Sequence, residues 1–272
     1  MTGEKNQGQN GMASNNIKLI VTDLDDTLLR RDKSISEYTK SVFGLCRKKG
    51  VLIAFATARM EKAAERFSRQ ITPDIFISNM GALARQGSKV LYKAAIPPDV
   101  VSALIKECLS DPRFLQITLQ ADKGYFNSEP IIAMPGWEDY SHSITTDFSQ
   151  PIDYGDVYKI TVRTDGSQAV KTISENFPTI DATGYRHESW SAFHARDASK
   201  EKALAAVAVA LNIPLKNIAV FGDDTSDIGI LRSARIGVAV QNAIPEVKAA
   251  ADYVCGDCDE DGVARWIEGN VL

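Results

Sequence analysis

The sequence predicts an α/β protein in which a doubly wound parallel sheet is interrupted by an inserted α+β unit. Short apolar, β-branched runs alternate with helical segments near both ends of the chain, which is the pattern of parallel strands joined by crossover helices. Hairpin-like pieces replace this pattern in the middle. We expect a flexible tail at 1–16, a core made of 17–82 and 189–272, and an inserted unit at 83–188.

The first part of the core opens with the apolar run 17–22, which predicts a buried strand that ends in acidic residues. A helix is expected next, with Ser36 as its N-cap and Gly50 after its last turn. Further predicted elements are a strand at 51–56, a helix at 61–70 that Pro73 ends, and a strand at 75–77.

The inserted unit and the second part of the core follow in the same way. In the insertion we expect hairpin-like pieces at 83–92, 114–127 and 157–164, and helices near 98–109 and 167–177. The core then resumes with a helix at 200–211, a strand at 218–221, a helix at 225–233, a strand at 236–240 and helices at 245–250 and 260–268.

Composition excludes several classes of function. The 272 residues carry 31 Lys and Arg against 35 Asp and Glu, so no general basic field attracts nucleic acid. No apolar run approaches the length that spans a membrane, and we expect a cytoplasmic protein. The four cysteines are expected to be free thiols. Nothing in the sequence indicates the oligomeric state.

Two acidic clusters follow predicted strands. Asp23 comes directly after the first buried strand, and Asp223 and Asp227 follow the run 218–221. An unpaired carboxylate at the end of a buried strand is costly, and the carboxyl ends of parallel strands meet at one edge of the sheet. Oxygen ligands brought together there suit Mg²⁺. For Asp26 and Thr27, capping of free backbone N–H groups is the expected role.

Two further residues fit a phosphate group. Thr57 follows the strand at 51–56, so its hydroxyl and the neighbouring backbone N–H groups face the same edge. Lys200 stands at the start of a predicted helix, where a cation is unfavourable without a compensating anion. Taken alone, a cap at Thr57 and a surface position for Lys200 are the ordinary alternatives.

Together these residues resemble a known family. Asp23-x-Asp25-x-Thr27, Thr57, Lys200 and Gly222-Asp223 with Asp227 follow the order and approximate spacing of the four motifs of the haloacid dehalogenase (HAD) superfamily of phosphohydrolases. The insertion resembles the C2-type cap of the Cof-like sugar phosphatases, and the resemblance extends over 17–268. It implies a Rossmann-like core and a phosphatase that acts on a small phosphorylated metabolite, most plausibly a sugar phosphate.

The resemblance also implies roles for individual residues. Asp23 is the expected nucleophile, which forms an aspartyl-phosphate, and Asp25 is the expected general acid and base. The implied Mg²⁺ ligands are the Asp23 carboxylate, the backbone carbonyl of Asp25, and Asp223, with Asp227 as a ligand or an orienting group. The implied phosphate-binding residues are Thr57, Ala58, Lys200 and Asn242, although a plain turn role for Asn242 is equally expected.

The sequence departs from the family pattern in four places. Ala58 and Glu201 stand where glycine is common, Met80 separates Asn79 from Gly81, and Ser226 replaces an asparagine. The departures at Ala58, Glu201 and Ser226 leave open a protein that binds phosphorylated metabolites without turning them over. A phosphomutase or phosphotransferase of the same fold is the alternative among enzymes.

Overall fold

A computed structural model describes residues 16–130, 138–164, 167–185 and 189–272. The predicted tail at 1–16 lies outside the described residues apart from Asn16. The strands are β1 Leu19–Thr22, β2 Leu52–Ala56, β3 Ile75–Ser78, β4 Leu83–Gln86, β5 Lys89–Lys93, β6 Phe114–Ala121, β7 Gly124–Asn127, β8 Ile144–Thr145, β9 Val157–Thr164, β10 Ile180–Gly184, β11 Trp190–Ala195, β12 Ile218–Gly222, β13 Ile236–Ala239 and β14 Tyr253–Val254. The helices are α1 Glu37–Lys48, α2 Glu65–Ile71, α3 Pro98–Ser110, α4 Ser167–Glu175, α5 Lys200–Ala210, α6 Ile228–Ser233, α7 Pro245–Ala250 and α8 Gly262–Asn270.

The large sheet has eight strands in the order β14-β13-β12-β1-β2-β3-β4-β5. The strands from β14 to β3 run parallel, and β4 and β5 form an antiparallel hairpin at one edge. Strand β1 lies between β2 and β12, so the chain order reverses there. In doubly wound sheets, ligands bind at such a point beyond the carboxyl ends of the strands.

The small sheet has six strands in the order β10-β11-β9-β6-β7-β8 and two faces of opposite character. Ile117, Leu119, Ile160 and Phe193 lie on one face, in an apolar core with residues of α3 and α4. The other face is polar, because the register places Gln120 opposite Lys159 and Thr118 opposite Thr161. Successive residues along a strand point to opposite sides of the sheet.

Local signals explain where the main helices begin. The Ser36 hydroxyl accepts a hydrogen bond from the backbone N–H of Thr39, which confirms the predicted N-cap of α1. Ser199 does the same for Lys202 at the start of α5. The predicted helix at 61–70 is instead a 3₁₀ turn, Lys62–Ala64, followed by α2.

Strand pairing differs from the predicted bounds of the insertion. The hairpin β4–β5 was expected in the inserted unit at 83–188 but extends the large sheet, because β4 pairs with β3. No strand was predicted at 190–195, which was assigned to the core, but these residues form β11, which pairs with β9 and β10 in the small sheet. Apolar periodicity shows that a segment is extended, but it does not show which strand lies next to it.

A left-handed turn joins β3 to β4. Asn79, Met80 and Gly81 have φ angles of 52°, 62° and 92° in succession. A Cβ atom on Gly81 would lie 2.2 to 2.4 Å from backbone atoms of Ser199 and Lys200. Glycine at this position therefore permits the backbone before α5 to approach the sheet.

We expect Gly81→Ala to destabilise the fold by about 3 kcal/mol, because it combines a left-handed alanine with a backbone clash. Gly44→Ala is the matched control, since it lies inside α1 with no atom within 4 Å of an added Cβ. It should stabilise the protein by about 0.5–1 kcal/mol. Chemical denaturation of both variants measures the two changes, and equal stabilities would contradict the close approach.

Candidate active site

Acidic side chains meet at the carboxyl ends of β1 and β12, where the chain order of the large sheet reverses. The two strands pair in register with Thr22 opposite Phe221, so Asp23 and Asp223 follow neighbouring strand ends. The backbone N–H of Asp23 donates to the carbonyl of Phe221 over 3.0 Å. Carboxylate oxygens of Asp23, Asp223 and Asp227 all lie within 4.8 Å of one another.

A buried lysine sits among these carboxylates. The Nζ of Lys200 donates to Oδ1 of Asp23 over 2.8 Å and to Oδ1 of Asp227 over 2.7 Å. Lys200 is 3% exposed, Asp23 8% and Asp227 1%, so the three charges are almost fully withdrawn from water. Lys200 is therefore buried and does not lie on the surface, where most lysines are found. Burial opposes its charge, yet the two carboxylates raise its pKa.

Three carboxylates and one ammonium group leave this cluster with two uncompensated negative charges. Burial, together with the neighbouring carboxylates, raises the pKa of Asp23 well above its usual range, although Lys200 opposes the change. Burial followed by the charge of Asp227 raises the pKa of Asp223 to about 7. Such a cluster must bind protons or a cation, and a hard divalent cation fits both its charge and its oxygen ligands.

Asp227 is also fixed by the backbone. Its Oδ2 accepts hydrogen bonds from the N–H groups of Asp223 and Asp224 over 3.1 and 3.2 Å. A Cβ on Gly222 would lie 2.5 Å from the Cβ of Asp227, so the end of β12 needs glycine. The turn after β12 thus fixes the carboxylate of Asp227, whose other oxygen accepts from Lys200.

Asp25 faces a different partner. Its carboxylate forms a bidentate ion pair with Arg59, at 2.7 Å from Nε and 2.9 Å from Nη2, and lies 3.1 Å from Nζ of Lys33. Burial alone would raise the pKa of Asp25, but the hydrogen bonds and charges of Arg59 and Lys33 outweigh it and lower the pKa. In this arrangement Asp25 is a carboxylate.

The loop after β2 contacts both sheets. Thr57 is buried, and its Oγ1 accepts a hydrogen bond from the N–H of Arg59 over 3.2 Å. The carbonyl of Ala58 accepts a hydrogen bond of 2.8 Å from Nζ of Lys159, on the polar face of the small sheet. Arg59 also pairs with Asp139, 2.8 Å away in the segment before β8. The loop that carries Thr57 is therefore held from the insertion side by two ion-pair or hydrogen-bond contacts.

Thr27 and Asn242 take positions that the sequence did not predict. The Oγ1 of Thr27 donates to Oδ1 of Asp223 over 2.7 Å, so the predicted capping role of Thr27 is wrong. Asn242 donates from Nδ2 to the carbonyl of Asp26 and accepts at Oδ1 from the N–H of Cys258. Its amide therefore links the loop that follows β1 to the segment around Cys258, and its contact with phosphate stays a prediction.

Sequence reasoning assigned no role to Arg59, Lys159 or Lys33. Arg59 lies two residues after Thr57, so its place beside a predicted phosphate loop was a usable signal. Lys159 gave no signal, because a lysine within an apolar strand can face either side of a sheet. Of the four departures from the family pattern, Ser226 and Glu201 are exposed, and Met80 lies in the strained turn after β3.

A second acidic group lies near the C-terminus, at Asp257, Cys258 and Asp259. Both of its carboxylates are bound by the guanidinium of Arg31. One cation thus faces two carboxylates here, which leaves one uncompensated negative charge, against two in the cluster around Lys200. All four cysteines are free and buried, as predicted.

Comparison with known proteins identifies the family. Residues 20–267 match the family model of the haloacid dehalogenase-like hydrolases. The chain belongs to this family. The chain is a HAD-type phosphatase with Cof-like relatives, so the resemblance seen in the sequence is confirmed.

One relative is the 5-amino-6-(5-phospho-D-ribitylamino)uracil phosphatase YitU of Bacillus subtilis, which is 26% identical over 260 residues, or 92% of this chain and 96% of the relative. A solved haloacid dehalogenase-like hydrolase from Bacteroides thetaiotaomicron superposes with a TM-score of 0.82 at 24% identity, over 93% of this chain and 99% of that one. A solved sugar phosphatase of HAD subclass IIB gives a TM-score of 0.76 at 25% identity, over 93% and 98% of the two chains. The predicted fold class, an α/β HAD-like core with an inserted unit, agrees with these likenesses.

Among the described residues, no helix is long and apolar enough to cross a membrane.

We expect Lys200→Met to destabilise the metal-free protein by about 3–5 kcal/mol, because it leaves buried carboxylates facing each other without their cation. Lys202→Met is the matched control on the same helix, since its ion pair with Asp197 is exposed and should contribute less than about 1 kcal/mol. Denaturation in the presence of a chelator measures both changes. If the two variants were equally stable, the ion pairs of Lys200 would not hold the site together.

Proposed function

We propose that this phosphatase is a Mg²⁺-dependent phosphomonoesterase that hydrolyses a small phosphorylated metabolite through an aspartyl-phosphate on Asp23. The observation that carries the proposal is the buried cluster of Asp23, Asp223, Asp227 and Lys200, with two uncompensated negative charges at the reversal point of the large sheet. A phosphate ester is an anion, so it approaches this cluster only if cations offset the carboxylates.

Asp23 is the proposed nucleophile. Lys200 holds its Oδ1, which leaves Oδ2 to attack phosphorus. The new bond joins Oδ2 to phosphorus while the bond from phosphorus to the alcohol oxygen breaks, and water later hydrolyses the aspartyl-phosphate. Two displacements of this kind replace one more difficult displacement.

The proposed Mg²⁺ ligands are the carboxylates of Asp23 and Asp223 and the backbone carbonyl of Asp25, with Asp227 as a further ligand or an orienting group. Bound Mg²⁺ supplies positive charge that offsets the carboxylates and stabilises the charge of the transferring phosphoryl group. The hydroxyl of Thr27 then fixes one oxygen of Asp223, which leaves the other oxygen for the ion.

Asp25 is the proposed general acid and base. It needs a proton to protonate the leaving alcohol, whereas Arg59 and Lys33 favour its ionised form. Phosphoryl oxygens compete with Asp25 for the guanidinium of Arg59, because arginine binds phosphate in the same bidentate way as carboxylate. Substrate binding would thus weaken the ion pair and raise the pKa of Asp25 toward that of a useful acid.

Thr57, Ala58 and Lys200 are the proposed phosphate-binding groups, with Asn242 bracing the opposite loop. Thr57 and Ala58 follow β2, which lies beside β1 in the sheet, so their polar groups face the same edge as Asp23. Related proteins act on a phosphorylated ribitylamino-uracil and on sugar phosphates, which supports a sugar or polyol phosphate as the substrate class.

Asp23→Asn should reduce the release of inorganic phosphate from para-nitrophenyl phosphate by at least about 10³-fold, because the amide cannot attack phosphorus. Asp26→Asn is the control, because the Asp26 carboxylate forms an ion pair with the half-buried Lys33 and has no role in the proposed chemistry. It should keep most of the activity. Substantial turnover by Asp23→Asn would remove the assignment of the nucleophile. Transfer of phosphate to an added sugar without release of inorganic phosphate would favour the phosphotransferase alternative.

Turnover by the full chain should stop in excess chelator and return when Mg²⁺ is added. Mg²⁺ should also raise the melting temperature of the wild type, because it binds only the folded carboxylate cluster. Asp223→Asn should lose this thermal shift, whereas Asp259→Asn should keep it, since Asp259 pairs with Arg31. Phosphate release that persists in chelator would contradict the proposed metal dependence.

A further inference from the structure

A cavity of about 570 Å³ lies beside the catalytic cluster. Helix α2, the edge formed by β3 and β4, and the end of β6 in the small sheet surround it. Among the described residues that line it, none is Asp23, Asp25, Thr57, Lys200 or Asp223. Its volume falls within the range of small-molecule sites. We call it the side cavity.

Two buried amide oxygens in its lining lack hydrogen-bond partners among the described residues, although Nδ2 of Asn79 donates to the hydroxyl of Ser78. Asn79 is 4% exposed and Gln120 is 3% exposed, yet neither Oδ1 of Asn79 nor Oε1 of Gln120 has a partner among the described residues. The Nε of Arg85, also in the lining, has no partner within the described ranges either. Each such buried polar atom costs about 1–3 kcal/mol. All three atoms are buried in the structure, so side-chain rotation must bring them to the cavity surface, where a bound molecule can complete their hydrogen bonds.

These groups come from both sheets. Asn79 lies in the left-handed turn after β3, and its N–H donates to the carbonyl of Arg59. Gln120 lies on the polar face of the small sheet, opposite Lys159. The side cavity therefore joins the insertion to the core next to the catalytic loop, without sharing catalytic side chains with it.

The polar groups of the lining indicate the chemical class of the occupant. Both unpartnered amide oxygens are acceptors, so the occupant must donate hydrogen bonds. Four carboxylates face two cations in the lining, which opposes an anionic occupant. The carboxylates belong to Glu61, Glu65, Asp74 and Asp122, and the cations to Lys62 and Arg85.

Apolar side chains complete the lining. Met60, Phe76, Leu83 and Tyr158 offer a surface for the carbon frame of a ligand. The hydroxyl of Tyr158 is already committed to Asp122 over 2.5 Å. A hydroxyl group of the ligand can donate to an amide oxygen and also accept from Nε of Arg85, which a phosphate or carboxylate cannot do.

We propose that the side cavity is a second ligand site, which takes a neutral or cationic small molecule rich in hydroxyl or amino groups. This site goes beyond the phosphatase function, since it binds without a phosphoryl group and without the catalytic residues. An occupant contacts core and insertion together.

Gln120→Leu tests the site, because it removes the unpartnered oxygen at similar side-chain volume. Gln116→Leu is the matched control on the same strand and face. Gln116 lies outside the cavity lining, and its Nε2 donates to Oδ1 of Asn127 over 2.8 Å. Calorimetric titration of the full chain with a panel of unphosphorylated polyols, aldoses and amino sugars, including ribitol and glucosamine, measures binding. Gluconate and inorganic phosphate are the anionic comparators.

We expect a panel member to bind the wild type and Gln116→Leu alike, and to bind Gln120→Leu at least tenfold more weakly. The melting temperature of unliganded Gln120→Leu should equal or exceed that of the wild type, whereas a structural role would lower it. Its activity on para-nitrophenyl phosphate should be unchanged, which shows that it folds.

Four results would overturn the proposal. The first is that no neutral or cationic member of the panel binds. The second is that a probe binds Gln120→Leu as tightly as it binds the wild type. The third is that gluconate or phosphate binds and that this binding depends on Gln120. The fourth is an increased KM of Gln120→Leu for a sugar phosphate without binding of any unphosphorylated probe, which would make the cavity part of the substrate site. Each of them is independent of whether Asp23→Asn abolishes phosphate release.

Discussion

The ammonium group of Lys200 is the interaction on which the catalytic edge of the large sheet depends. It bonds to Asp23 after β1 and to Asp227 after β12, and all three groups are buried. Withdrawing such charges from water is costly, so the surrounding backbone must hold them at short range. The glycines at 81 and 222 permit that approach, the first for the start of α5 and the second for the side chain of Asp227. Lys200 balances only part of the negative charge, and the remainder is the reason we propose a cation site there.

Two contacts from the inserted unit hold the loop that carries Thr57. Arg59 lies between Asp25 and Asp139, while Lys159 reaches the carbonyl of Ala58 in the same loop. Both contacts end on the loop that carries Thr57. Burial would raise the pKa of Asp25, but the hydrogen bonds and charges of Arg59 and Lys33 lower it. The guanidinium of Arg59 therefore joins Asp139 of the insertion to the ionised form of Asp25.

Local patterns in the sequence predicted much of this architecture. A buried strand followed by an acid placed Asp23 and Asp223 at one edge, and Ser36 marked the start of α1, because each of these signals depends on near neighbours. The pairing of Arg59 with Asp25, the bond from Thr27 to Asp223 and the reach of Lys159 were not predictable, since they depend on how distant segments pack. For the same reason, the hairpin at 83–92 was assigned to the insertion although it extends the large sheet. Residues 190–195 were assigned to the core although they form β11 of the small sheet.

The two faces of the small sheet show how the molecule separates stability from recognition. Strand β6 alternates apolar residues such as Ile117 and Leu119 with polar ones such as Thr118 and Gln120, and only the apolar set packs beneath α3 and α4. On the polar face, Gln120, Asn127 and Thr161 each keep a buried atom that has no partner in the part of the chain that the structure describes. If this face served only to pack against the core, apolar residues there would make the protein more stable. Polar groups at these positions therefore cost stability, as expected of a surface that we propose to bind a ligand, whereas the proposed nucleophile lies at the edge of the large sheet.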